Sequence, residues 1–161
     1  MAREWWVVWA GRHRRDSWDE LCDGYRTRID RHVVTREVVV RSRVAGGAER
    51  LAAEGRAILA ALPSPCRLVV LDRDAKPTSS EELARRLESW REEWPHPVVF
   101  AVGSDLGLAN EVSKRSDWRL SFGPITLPHE MARLILWEQL YRAVAISSGS
   151  SYHRKSVGSL L

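Results

Sequence analysis

The chain has 161 residues and a mass of 18.4 kDa, which is the size of one domain built around a single core. Hydrophobic residues make up 44% and charged residues 29%, a balance typical of globular proteins and unlike that of disordered chains. No apolar run approaches the roughly 18 residues that span a bilayer, and the N-terminus lacks the features of a signal peptide. Cys22 and Cys66 form no CxxC motif, so we expect one domain over residues 1–161 in a reducing compartment, the cytoplasm.

The net charge is +4, and all but three of the 25 basic residues are arginine. The guanidinium group offers a rigid fork of donors to phosphate and stacks on nucleic-acid bases. This composition predicts an RNA-facing surface made of Arg12, Arg14, Arg15, Arg41, Arg43, Arg154 and Lys155. The alternative is an arginine-rich protein with ordinary solvated faces, and a charge of +4 by itself favours that alternative.

Strand and helix signals alternate along the chain. The predicted strands are short apolar runs over residues 4–10, 37–40, 66–71, 98–102 and 118–122. Two capping pairs, Ser17 with Glu20 and Ser79 with Glu82, mark the starts of the first and third helices. The remaining helices are predicted after the break at residues 45–47, over about residues 108–116, and over about residues 128–146.

The strands are nearly continuous apolar runs, which is typical of parallel strands buried on both faces. We therefore predict an α/β fold with a mostly parallel sheet and helices on both faces. Ligands of such sheets bind beyond the carboxyl ends of the strands, so the candidate loops follow Leu71, Val102 and Phe122.

Most catalytic motifs are missing from the sequence. The GSDLG loop at residues 103–107 brings backbone amides close to a ligand, but it matches neither the dinucleotide-binding nor the P-loop pattern, and a plain turn explains it equally well. The five histidines have no metal-ligand spacing, and no GxSxG sequence supports a serine hydrolase.

The last predicted helix has an apolar arc wider than one sheet face requires. Its predicted inward residues are Met131, Leu134, Ile135, Trp137, Leu140, Tyr141 and Val144. Either the helix lies at the centre of the core, or a second subunit covers part of it, and the pattern alone does not decide between them.

Several segments together resemble the RlmH family of SPOUT-class methyltransferases. The longest is LSFGPITLPHEMARLILWEQLYR at residues 120–142, followed by Tyr152-His153-Arg154. The VGSDLG segment at residues 102–107 and the run from Leu71 to the SSEELA helix start also match. The family usually has two glycines where this chain has Gly103-Ser104, and a different pair where it has Gly123-Pro124. Residues 155–161 extend beyond the usual end of the family.

The resemblance implies a trefoil knot in the C-terminal part and a homodimer with its active site at the subunit interface. It implies S-adenosyl-L-methionine as the cofactor and N3 of a pseudouridine in 23S ribosomal RNA as the methyl acceptor, with no metal and no membrane. The implied cofactor-binding residues are Leu71, Gly103, Ser104, Gly123, Pro124, Ile125, Thr126, Leu127 and Pro128.

The candidate catalytic residues on this interpretation are His153, His129, Tyr152 and Arg154. The imide nitrogen must lose a proton, so His153 or His129 is the candidate base, while Tyr152 and Arg154 position the substrate. For His129, an ordinary role at the helix N-terminus is an equal alternative. The candidate RNA-binding residues are Arg12, Arg14, Arg15, Arg142 and Arg154, and Arg142 has the alternative role of holding the tail.

Two other functions stay open at this stage. One is a non-catalytic RNA-binding protein that kept the fold and lost the cofactor, which the residues Ser104 and Pro124 favour. The other is a related SPOUT enzyme that methylates transfer RNA.

Overall fold

A computed structural model describes residues 3–11 and 16–153 of the chain. Its strands are β1 (Glu4–Ala10), β2 (Val34–Val40), β3 (Arg67–Leu71), β4 (Val98–Val102) and β5 (Trp118–Leu120). Its helices are α1 (Ser17–Ile29), α2 (Gly47–Ala61), α3 (Ser80–Glu93), α4 (Asn110–Arg115) and α5 (His129–Ser147). The predicted alternation of strands and helices is confirmed. None of the helices in these ranges is long and apolar enough to cross a membrane.

The five strands form one sheet in the order β2-β1-β4-β3-β5, and every pair in it is parallel. All five residues of the central strand β4 are buried, as expected for a strand covered on both faces. The predicted α/β architecture is therefore confirmed. The trefoil knot concerns how the chain threads, which strand order alone does not test, and it stays a prediction.

Helices cover the two faces of the sheet unequally. One core contains buried residues of α1, α3 and α5, including Cys22, Leu87 and Leu140, packed on one face. The smaller core on the other face contains residues of α2 and α4, such as Ile58 and Val112. Because side chains alternate along a strand, β1, β2, β3 and β4 contribute to both cores, whereas β5 contributes Trp118 and Leu120 to the first core only.

Helix α5 packs between α1 and α3. Leu136, Trp137 and Leu140 are fully buried within the chain, so the core accounts for one side of the wide apolar arc. Met131 is exposed and its neighbours Leu134 and Ile135 are only partly buried. A single copy of the chain therefore leaves part of the predicted apolar face uncovered.

Of the two predicted helix caps, one is wrong and the other is confirmed. Helix α1 is capped by Asp16, whose carboxylate accepts hydrogen bonds from the backbone N–H groups of Trp18 and Asp19, so the predicted cap at Ser17 is wrong by one residue. Aspartate and serine are both common N-cap residues, and because they are adjacent here the sequence does not show which of them caps the helix. The cap at Ser79 is confirmed, since its hydroxyl accepts from the backbone N–H of Glu82 at 3.1 Å.

A buried arginine joins α5 to α1 and β2. Arg133 is only 2% exposed, and its guanidinium pairs with Asp19 at 2.7 Å and with Glu37. The same group lies over the ring of Trp9, with Cζ 4.6 Å from the ring centroid. Burial lowers the pKa of Arg133, but the hydrogen bond and charge of Glu37 and the hydrogen bond of Asp19 more than offset it, so the pKa is raised above its ordinary value.

Replacing Arg133 should destabilise the fold strongly. Arg133→Ala leaves the carboxylates of Asp19 and Glu37 buried without their cation, which should lower the free energy of unfolding by about 3–5 kcal/mol. Urea denaturation followed by tryptophan fluorescence measures the change. Arg85→Ala, which removes an exposed arginine from α3, is the matched control and should change the stability by less than about 0.5 kcal/mol. Equal stabilities of the two variants would contradict the structural role of Arg133.

Candidate active site

A cavity of about 920 Å³ opens at the carboxyl ends of β3, β4 and β5. The loops after these three strands and the start of α5 form its walls, as the rule for parallel sheets predicts. Of the residues predicted to bind a cofactor, the cavity is lined by Leu71, Gly103, Ser104, Gly123, Ile125, Thr126, Leu127 and Pro128. Pro124 does not line it and is exposed.

The cavity walls are mainly apolar. Val102, Leu120 and Phe122 line it together with the leucines of the flanking loops. Ile125 is 68% exposed, and Leu106 is also exposed at the cavity. Apolar walls with a few polar groups are typical of sites that bind a small molecule, and a bound ring would remove these side chains from water.

The loop after β4 folds tightly on itself. The backbone N–H of Gly107 donates to the carbonyl oxygen of Ser104 at 2.9 Å. A Cβ atom at Gly103 would lie 2.4 Å from the carbonyl carbon and oxygen of Gly107, so only glycine fits there without moving backbone. The first residue of the predicted Gly103-Ser104 pair is thus required by local packing.

Side chains of helix α2 contact the same loop. The Ser104 hydroxyl donates to Oε2 of the buried Glu54 at 2.7 Å and accepts from the backbone N–H of Leu106 at 3.2 Å. Arg50 pairs with Asp105 at 2.6 Å and with Glu54 at 3.5 Å. The hydrogen bond from Arg50 lowers the pKa of Asp105. A serine therefore fits at position 104 because helix α2 supplies a partner for it.

Sequence reasoning missed Arg50 and Glu54. The signal was available, because Glu54 lies between Leu51 and Ile58 on the inward stripe of α2. A carboxylate at such a position needs a partner in the folded protein.

The loop after β5 is tied to the loop after β3. Gly123 has a φ of +102°, a conformation that favours glycine, and its N–H donates to the Ser121 hydroxyl at 3.0 Å. The backbone N–H of Thr78 donates to the carbonyl oxygen of Ser121 at 3.0 Å, and the Arg73 side chain donates to the Thr126 hydroxyl. These contacts hold two walls of the cavity together.

His129 is the predicted catalytic residue that lies in the cavity wall. Its ring stacks on Trp9 with centroids 6.1 Å apart and planes at 27°, and its Nε2 lies 3.8 Å from Oε1 of Glu130. Burial raises the pKa of Glu130, and the charge of Arg133 partly offsets that effect. The imidazole is thus held in place and one-third exposed.

Tyr152 and His153 lie elsewhere, along the C-terminal half of α5. The Tyr152 hydroxyl donates to Glu138 at 3.2 Å, and His153 contacts Arg142 at 3.3 Å and Glu81 at 3.0 Å. Burial, followed by the charge of Glu138, raises the pKa of Tyr152 to about 12, so its hydroxyl stays protonated near neutral pH.

The tail and the cavity therefore do not meet within one chain. Ala132 is in the cavity wall, whereas Arg142 is ten positions further along the helix, which corresponds to roughly 15 Å. Neither Tyr152 nor His153 lines the cavity.

Arg142 holds the tail in the structure. Its guanidinium donates to Glu138 at 2.6 Å and lies over the Tyr152 ring at 4.9 Å. Its RNA-binding role stays a prediction. Among the other residues predicted to contact RNA, Arg41 and Arg43 are described by the structure. Five lie outside the described residues: Arg12, Arg14, Arg15, Arg154 and Lys155. Within the described part of the chain, no group of three His, Cys, Asp or Glu side chains could hold a metal ion.

The chain is similar to known proteins over most of its length. Residues 4–153 match the family described as "Predicted SPOUT methyltransferase". The "Ribosomal RNA large subunit methyltransferase H" of Rhodospirillum centenum is 41% identical over 149 residues, which cover 92% of this chain and 97% of that protein. The protein of the same name from Solidesulfovibrio magneticus is 38% identical over 148 residues, covering 91% of this chain and 96% of that protein.

A solved structure supports the fold. It is described as a probable methylase family protein from Haemophilus influenzae Rd KW20, with a TM-score of 0.51 and 14% sequence identity, covering 95% of this chain and 70% of that one. From the family match and the two relatives we conclude that this chain belongs to the SPOUT methyltransferases, in the family of ribosomal RNA large subunit methyltransferase H.

Proposed function

We propose that this protein transfers a methyl group from S-adenosyl-L-methionine to N3 of a pseudouridine in 23S ribosomal RNA. The observation that carries the proposal is the cavity at the strand ends, which gathers eight of the nine residues that the family resemblance assigns to the cofactor. Relatives named for methylation of the large ribosomal subunit RNA support the substrate class. Such a protein works where ribosomes are assembled, in the cytoplasm.

The cavity fits the proposed cofactor in size and chemistry. Its volume of about 920 Å³ lies within the usual range of small-molecule sites. Leu127 and Ile125 would pack on the adenine ring, while the loop at residues 103–107 and residues 123–126 would offer backbone groups to its edge. When bound, the cofactor supplies a methyl group on a positively charged sulfur, which a nucleophile attacks in line.

The protein's contribution to the reaction is orientation and removal of one proton. The N3–H proton of the acceptor base must leave as the new carbon–nitrogen bond forms, and Nε2 of His129 would take it. Stacking on Trp9 holds the imidazole at the cavity wall, and the nearby Glu130 would stabilise the imidazolium that results.

A second copy of the chain would complete the site. The half-buried Leu134 and Ile135, with the exposed Met131, form an apolar strip on α5 that a partner could cover. In such a homodimer, Tyr152 and His153 of one subunit, which do not line their own cavity, would act at the cavity of the other. The trefoil knot is part of the same proposal, and the bonds between the loops after β3 and β5 are compatible with it.

Two residues, Ser104 and Pro124, favour a non-catalytic protein, and Pro124 does not line the cavity. The Ser104 hydroxyl is engaged by Glu54, so a serine at this position is compatible with the tight loop that glycine usually forms. We therefore prefer the enzymatic function. Transfer RNA is the competing substrate. Comparing methyl incorporation into transfer RNA and into large ribosomal subunits distinguishes the two substrates.

Changing Gly103 should weaken cofactor binding. Gly103→Ala places a methyl group against the backbone of Gly107 and deforms the cavity wall, so we expect the Kd for S-adenosyl-L-methionine to rise at least about ten-fold. Isothermal titration calorimetry measures it. Gly24→Ala is the matched control, because its added methyl group meets no atom within 4 Å, and it should bind like the wild type. Unchanged affinity in Gly103→Ala would place the cofactor elsewhere.

Removing the proposed base should slow the methyl transfer without weakening cofactor binding. His129→Ala should reduce kcat by about 10²–10⁴-fold, the usual contribution of a positioned base. The assay follows labelled methyl incorporation into large ribosomal subunits under saturating substrates. His96→Ala, which changes an exposed histidine beside Trp94, should leave kcat unchanged. A kcat within three-fold of wild type in His129→Ala would exclude His129 as the base.

A mixed dimer should tell whether the tail acts on the partner's cavity. Gly103→Ala weakens cofactor binding at a cavity and His153→Ala inactivates a tail, so each homodimer should be nearly inactive when the cofactor concentration is below the wild-type Kd. Co-expression of the two variants with different affinity tags yields a mixed dimer in which one subunit keeps an intact cavity and the other keeps an intact tail. This dimer is active only if a tail acts at the cavity of the other subunit. We expect the purified mixed dimer to regain methyl transfer, and an inactive mixed dimer would show that each tail serves its own cavity.

A further inference from the structure

A second cavity, of about 740 Å³, adjoins the first one at the same edge of the sheet. It lies beyond the carboxyl ends of β1 and β2 and beside the start of α2. Residues 41–46 form most of one wall, and Arg50, Glu54 and Asp16 contribute side chains. Neither the family match nor the named relatives give this cavity a role.

The two cavities share a wall. Ser104, Asp105 and His129 line both of them. Methyl transfer requires the acceptor atom within contact distance of the donor, so the acceptor must occupy space that adjoins the cofactor cavity. The second cavity provides such a space and places the proposed base on the boundary.

The carboxylates of the second cavity are all engaged by the protein. Asp105 and Glu54 pair with Arg50, and Asp16 caps helix α1. Glu130 lies 3.4 Å from the guanidinium of Arg133. These carboxylates therefore already have arginine or backbone N–H partners within the protein.

Among the described residues, no carboxylate pairs with either of two arginines at this cavity. Arg41 and Arg43 follow β2, are exposed, and pair with no carboxylate among the described residues. A guanidinium at the mouth of a cavity suits a phosphate group, because its parallel N–H donors match two phosphate oxygens.

We propose that the second cavity receives the acceptor nucleotide of the RNA, with Arg41 and Arg43 binding the phosphates that flank it. This inference rests on the proposed function and adds where the RNA strand enters and which side chains hold it. The base of the nucleotide reaches the shared wall at His129, and its phosphates stay at the exposed mouth.

The experiment measures binding and methylation of large ribosomal subunits that lack this methyl group. Arg41→Ala and Arg43→Ala should each raise the KM for the subunits about ten-fold, as expected for loss of one charge-assisted contact. Each should also reduce the slope of log affinity against log salt concentration by about 1. Their Kd for S-adenosyl-L-methionine should equal that of the wild type.

Arg85→Ala is the matched control, because it removes an exposed arginine of α3 that lines neither cavity. It should leave the KM and the salt dependence unchanged. Thermal unfolding checks that all three variants are folded, and Arg41→Lys and Arg43→Lys should retain the salt slope while losing part of the affinity.

Two readouts separate this inference from the proposed function. If the wild type methylates the subunits and both alanine variants match Arg85→Ala in KM and salt slope, the inference is wrong and the proposed function stands. If the wild type transfers no methyl group, the proposed function fails. Direct binding of the subunits, measured by co-sedimentation, then decides whether Arg41 and Arg43 contact RNA, and equal binding by the variants and the control overturns the inference.

Discussion

The candidate site depends on the way β3, β4 and β5 end together at one edge of a parallel sheet. Because the strands run in one direction, the three loops that follow them converge there. Backbone bonds then fasten two of these loops together, with the N–H of Asp72 donating to the carbonyl of Leu120 at 2.9 Å and that of Thr78 to Ser121. These bonds hold the start of the segment before α5 against the loop after β3.

Polar networks then fix the cavity from both faces of the sheet. On one face, Glu54 and Arg50 of α2 hold the loop after β4 through Ser104 and Asp105. On the other face, Arg133 anchors the start of α5, whose first residue is His129, to α1 and β2. Each network joins elements that are distant in sequence, so the geometry of the site is coupled to correct packing of both layers.

The elements of the fold and the loops of the candidate site could be predicted from the sequence. Apolar runs and breaker residues predicted all ten elements, and the rule for parallel sheets located the loops, while the resemblance supplied most of the residues that line the cavity. Strand order was not predicted, because it depends on tertiary packing rather than on local pattern. Strand β2 begins at Val34, three residues before the predicted start. The prediction missed these residues because Arg36 separates Val34 and Thr35 from the apolar run.

The side-chain networks were harder to foresee. Arg133 lies in an apolar stretch of α5, and its partners Asp19 and Glu37 are about a hundred positions away in the chain. The position of the tail was equally hidden, because His153 and Tyr152 are held by Glu81, Glu138 and Arg142 rather than by the cavity. Local patterns report which residues face inward, but they do not report which distant charge will meet them.

The most direct test of the central claim is hydrogen–deuterium exchange with and without saturating S-adenosyl-L-methionine. We expect the ligand to slow exchange in peptides covering residues 103–108 and 122–129, two of the segments that line the cavity. Peptides covering residues 30–34, at the opposite edge of the sheet, should exchange unchanged. Absence of any protection, or protection confined to residues away from these loops, would contradict the assignment of the cavity to a methyl donor.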